Sequence, residues 1–209
     1  MNDGTSGEGA AGPVATLGVR NPSDREVGHM LYAFGFERVG VLACDLYFVN
    51  PRPEPGQEGP ERGVRVEVRM LERGALQGSI YSAQPIAVDR PIWRADLLES
   101  VASPPGSLDR AHHHPQFRGW EPGKRHFVPE MSAAPLDFVA RRLADLEGML
   151  DAAGIPPAEA GPGDADALRR ATPEIVEVVR RLLEGVKAGD LGRPPSDGAD
   201  LVSARVGWL

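Results

Sequence analysis

"VRVEVRML", residues 64–71, alternates cleanly through Met70. Val64, Val66, Val68 and Met70 fall on one side, and Arg65, Glu67 and Arg69 on the other. A period of two belongs to a strand and not to a helix. One apolar and one charged face predict a half-buried antiparallel strand. Upstream, "ERVGVLACDLYFVN" (37–50) is rich in β-formers and ends at Asn50–Pro51. Between the two, the Pro/Gly-rich stretch 51–63 predicts a mobile hairpin loop. Downstream, "GSIYSAQPIAV" (78–88) is a third strand, which Pro85 makes bulged or an edge. "RPIWRADLLESV" (90–101) is a fourth, with Ile92, Arg94 and Asp96 on one face and Trp93, Ala95 and Leu97 on the other. "KRHFVPE" (124–130) reads as a last strand. "SDREVGHMLYAFG" (23–35) reads as a short helix, because Ser23 and Glu26 have capping-box spacing; a strand starting near Leu31 is the alternative.

Two helices follow. The first, about 135–152, opens on Pro135, whose missing N–H is harmless at a first helical position. Its Leu136, Val139, Leu143, Leu146 and Leu150 recur at three- and four-residue steps and form a core-facing stripe. The second, 172–188, has Thr172 as N-cap and Pro173 at N1, with Ile175, Val179, Leu182 and Val186 as its stripe. These patterns predict an α+β fold: an antiparallel β-meander of four to five strands with C-terminal helices packed to one side. The expected organisation is a disordered tail over 1–20, a core domain over 21–152, a linker over 153–171, and a C-terminal helix with an apolar tail over 172–209.

Composition narrows the function classes. Among 209 residues there are 20 prolines and 25 glycines, clustered between the periodic segments. Only two residues, Lys124 and Lys187, are lysine, against 21 arginines, a bias of GC-rich bacterial coding. Arginine by itself is therefore a weak sign of a phosphate ligand here. The net charge of −7 disfavours a general nucleic-acid coat protein. The single cysteine, Cys44, lies in an apolar run, lacks the basic neighbours that would activate it, and reads as core in a reducing, cytoplasmic setting. No stretch is apolar over the roughly 20 residues that a membrane span needs. There is no P-loop, dinucleotide fingerprint or nucleophile elbow.

The chemistry concentrates in "DRAHHHPQFRGWEPGKRHF" (109–127), which holds four of the five histidines. Its bases Arg110, Arg118, Lys124 and Arg125 outnumber its acids Asp109 and Glu121, a local balance of +2 on an acidic chain. In an extended segment His112 and His114 project together and His113 points away. A hairpin turning through 100–108 sets residues 94–98 beside 110–115. Two readings follow. His112 and His114 chelate a divalent metal ion, with Asp96, Asp109 or His126 as third ligand. Alternatively they act as general base and acid without a metal, while Arg94 and Arg125 engage an anion and Asp96 orients. Trp120, Phe117 and Phe127 read as core anchors, and Trp93 and Trp120 as core or base-stacking residues.

The order of these features resembles the TumE-like toxin family, small partners of helix-turn-helix antitoxins in bacterial toxin–antitoxin pairs. Arg94 and Asp96 in "WRADLL", His112 and His114 in "AHHHP", Phe127 in "RHFVP" and the helix "LDFVARRLADLEGML" carry the likeness, over roughly 64–150. It differs in a longer loop between Asp96 and His112, three histidines for a pair, an N-terminal extension and a second acidic helix. The resemblance implies a toxin-like module acting on RNA or nucleotides, with an antitoxin-like protein partner. The reading from a different class is a non-catalytic binding or scaffold protein that uses its sheet edge, acidic helices and apolar tail.

Overall fold

The computed structural model describes residues 29–195 and 201–209. The disordered tail expected over 1–20, and the Ser23–Glu26 capping box, lie outside the described residues. Strands β1 (Leu31–Gly35), β2 (Val39–Val49), β3 (Pro60–Arg73), β4 (Ile86–Ser100) and β5 (His112–His114) form an antiparallel sheet in sequential order. A hairpin of β6 (Phe117–Arg118) and β7 (Glu121–Pro122) follows. Then come the helices α1 (Pro129–Ala133), α2 (Pro135–Leu143), α3 (Leu146–Ala152) and α4 (Asp164–Ala188). A final short strand, β8 (Ala204–Val206), pairs with β2 at Tyr47–Val49, beyond the end of β1. The α+β class and the meander with C-terminal helices are as the periodicity predicts.

One face of the sheet forms the main core. Val41, Ala43, Val64, Val66, Val68, Trp93, Ala95 and Leu97 pack there with Val139 and Leu143 of α2, Leu150 of α3, and Leu168, Ile175, Val179 and Leu182 of α4. Burial of each such valine, leucine or isoleucine side chain contributes about 1.5–3 kcal/mol. The helix α4 therefore packs on the domain, across β2 and β3. Among the described residues no helix is long and apolar enough to cross a membrane.

Several expected boundaries move. Residues 31–35 are strand and not helix, because pairing Leu31–Gly35 with Gly40–Cys44 satisfies backbone groups that so short a helix would leave open. The strands expected at 78–88 and 90–101 are one strand, β4, preceded by the 74–85 loop. It accommodates Pro91 through register shifts on either side of Arg69, opposite it on β3. No strand forms over 124–130; a single bridge joins His126 to His113. The expected helix over 135–152 breaks at Ala144–Asp145, where the Asp145 side chain caps α3 by accepting from Gly148 N–H.

The second helix begins eight residues earlier than Thr172 suggests. Asp164, fully buried, accepts the main-chain N–H groups of Glu37, Arg38 and Gly161, which pins its first turn to the β1–β2 turn. Thr172 lies inside α4 and its hydroxyl donates to the Leu168 carbonyl. The continuing stripe Leu168–Ile175–Val179 outweighs the interior Pro173, so the expected linker shortens to about the residues between α3 and α4.

Candidate functional site

The opposite face of the sheet is charged, yet it is also buried. Strand register lays two rows across it. One row runs Cys44, Arg65, Asp96, His112, and the next runs Leu42, Glu67, Arg94, His114. Residues facing each other across adjacent strands have Cβ atoms about 4.5–5.5 Å apart. The register thus brings two arginines, two carboxylates and two imidazoles together before any rotamer is chosen. The 100–108 turn pairs Asp96 with His112 and Arg94 with His114, as the hairpin argument predicts.

Asp96, 1% exposed, is the hub. Arg65 grips it bidentately, Nε to Oδ1 at 2.6 Å and a terminal nitrogen to Oδ2 at 3.2 Å. Arg94 Nε lies 3.1 Å from Oδ2, outside hydrogen-bonding geometry. His112 Nε2 and His114 Nε2 lie 3.3 and 3.6 Å from the same oxygen. Burial pushes the Asp96 carboxyl upward, but the guanidiniums of Arg65 and Arg94 outweigh it and hold the group well below the usual carboxylate range. Burial lowers His114, with Asp96 opposing, and it lowers Arg94.

The tautomers follow from the outer ring nitrogens. His112 Nδ1 is 2.7 Å from the Arg110 carbonyl and His114 Nδ1 is 2.8 Å from the Gly123 carbonyl. A carbonyl only accepts, so both Nδ1 atoms carry the proton. In the neutral rings each Nε2 is then a bare lone pair facing a carboxylate. Among the described residues, Arg94 Nε, Arg110 Nε, His112 Nε2 and His114 Nε2 are the buried side-chain polar atoms without a hydrogen-bond partner. Three of these four lie in this cluster.

The remaining predicted residues go elsewhere. Arg125 does not join the cluster: its guanidinium holds Glu61 bidentately and contacts Gln57. Asp109 caps the 100–108 turn through Ser100 N–H, Ser103 and Ser107. His126 sits against His113 on the helical side of the sheet. His113 points away from the pair as expected, and it enters the core, accepting from Trp93 Nε1 and packing on Phe138; burial, with Arg142 adding repulsion, lowers it to about 4. Cys44 is core, and burial raises its thiol. Trp93 is core too, but Trp120 and Phe127 are not core anchors. They are 60% and 47% exposed. Trp120 lies over Arg69, Phe127 beside His112, and the partly exposed Phe117 beside His114 and Arg94.

Sequence reasoning misses Arg65 and Glu67, and of the C-terminal segment it gives only the apolar tail. Arg65 and Glu67 alternate with valines, which normally signals a solvent-facing side; here both are 5% exposed. Leu209 packs on Leu42 and Cys44, and its main-chain oxygen accepts from Arg65 (3.2 Å) and from Arg205 Nε (2.7 Å). Only the apolar character of "LVSARVGWL" hints that it docks. Comparison with protein-family models, with curated proteins and with solved structures gives no match, so the reading of the site rests on its own geometry.

Proposed function

We propose that the protein is a toxin-like module acting in the bacterial cytoplasm on RNA or another phosphate-bearing substrate, at the centre built on Asp96. The observation that carries this reading is the pair of buried guanidiniums, Arg65 and Arg94, beside the histidines on the buried face. Arg65 and Arg205 already share one oxygen, that of Leu209, and Arg94 Nε is a buried donor with no acceptor. Such a set suits the oxygens of a phosphate, because guanidiniums supply fixed, charged donors. Phe117, Trp120 and Phe127 at the margin supply faces on which bases stack. In this reading Arg94 and Arg65 hold the phosphate and stabilise its developing charge, Asp96 orients them, and His112 with His114 meets the reacting oxygen. The resemblance noted above points the same way.

The test uses the full chain and a single-stranded RNA oligonucleotide at low salt. Binding that falls with salt, weakens at least tenfold (about 1.4 kcal/mol) in Arg94→Gln and weakens in Trp120→Ala supports the reading. Absence of binding and of cleavage, or an Arg94→Gln variant equal to wild type, overturns it.

A further inference from the structure

Asp96, His112 and His114 each offer a ligand atom, and all three atoms lie within 4.8 Å of one another. Their separations have a specific meaning. A tetrahedral zinc ion with bonds of about 2.1 Å sets its ligand atoms about 3.4 Å apart. The two Nε2–Oδ2 distances are 3.3 and 3.6 Å. With Nδ1–H groups fixed by the Arg110 and Gly123 carbonyls, both Nε2 lone pairs are directed at the carboxylate and nothing in the cluster donates to them. Buried acceptors facing acceptors are unfavourable, whereas a cation between them satisfies all three. The carbonyl contacts to Nδ1 are the outer contacts that orient metal-bound histidines.

We propose that Asp96, His112 and His114 bind one zinc-class divalent ion. This concerns the same centre as the proposed function and assigns the two histidines as ligands in place of acid and base. A set of two imidazoles and one carboxylate leaves a coordination position for water or a substrate oxygen. Arg65, held bidentately on Asp96, orients the carboxylate, and Arg94 Nε lies 3.1 Å from Oδ2. A dication adds the same charge as protonation of both rings, but it brings three coordinate bonds, and an anionic fourth ligand reduces the charge. His113 and His126, on the other face, are not ligands.

The experiment titrates zinc chloride into chelator-treated, dialysed full-length protein and measures metal content by elemental analysis and affinity by competition with a chromophoric chelator. The expected result is one zinc per chain and a rise in melting temperature. His112→Ala/His114→Ala weakens binding at least a hundredfold while His126→Ala leaves it unchanged. Cobalt(II) bound to wild type reports the geometry through an intense visible absorption band, and His114→Gln serves where the double variant does not fold. Equal zinc affinity in wild type, His114→Gln and the double variant overturns the proposal, as does cobalt with only the weak spectrum of the hydrated ion. Zinc bound without any RNA binding sustains this proposal and removes the phosphate reading; RNA cleavage unchanged in chelator, with no zinc bound, does the reverse.

Discussion

Replacing Asp96 by Asn removes the carboxylate that Arg65 and Arg94 share, leaves Glu67 as the remaining anion beside them, and keeps the side chain's shape. Arg65, Arg94 and Asp96 have side chains only 7, 12 and 2% exposed, so water cannot compensate. Removal of one partner from a buried ion pair costs about 3–5 kcal/mol. Asn retains one acceptor oxygen for Arg65 Nε, so the lower part of that range is expected, about 3 kcal/mol. That is a large share of the roughly 5–15 kcal/mol that stabilises a typical domain. Arg65→Met is expected to be comparably destabilising, because it leaves Asp96 to Arg94 alone. The double variant recovers part of the loss, with a coupling of about 1–3 kcal/mol. Urea unfolding in the presence of chelator measures all four corners of the cycle and keeps bound metal out of the comparison. An Asp96→Asn loss below about 1 kcal/mol, or additive single losses, refutes the claim that this carboxylate organises the buried face.

Two further outcomes follow from the same structure. His113 is held neutral, with its pKa lowered by burial to about 4 from about 6.5 in the unfolded chain. Its contribution is therefore complete above pH 6.5 and is lost as the pH falls toward 4, up to about 3 kcal/mol, and His113→Gln should flatten that slope in urea titrations between pH 7 and 4; an unchanged slope contradicts it. Cys44 is 0% exposed beneath Leu209, so a disulfide reagent should react slowly with the native chain. Deleting residues 201–209 should raise the rate about tenfold or more with the far-ultraviolet dichroism unchanged, and an unaltered rate shows that the segment does not cover this face.

The strands and the pairing of Asp96 with His112 were legible because period-two alternation and turn length determine which side chains share a face. His113 could be set apart from its neighbours on the same ground. Arg65 could not be found that way. Alternation between valine and arginine has the same pattern whether the charged face meets water or a covering segment, and here Leu209 and the arginine–carboxylate pairs cover it. Arg125 looked equivalent to Arg94 in sequence, but its partner Glu61 lies 64 positions away and only the folded chain brings the two together. Thr172–Pro173 is a sound helix start in local terms, and tertiary packing of Leu168 with the anchoring of Asp164 overrides it.

The most direct test of the Asp96 centre is the long-range nitrogen–proton correlation spectrum of the histidine rings in metal-free and zinc-loaded protein at neutral pH. Nδ1–H tautomers at His112 and His114, with Nε2 of both rings shifting on addition of one equivalent of zinc, are the expected result. An Nε2–H tautomer at either ring in the metal-free protein, or zinc that leaves both Nε2 resonances unmoved, would contradict the account.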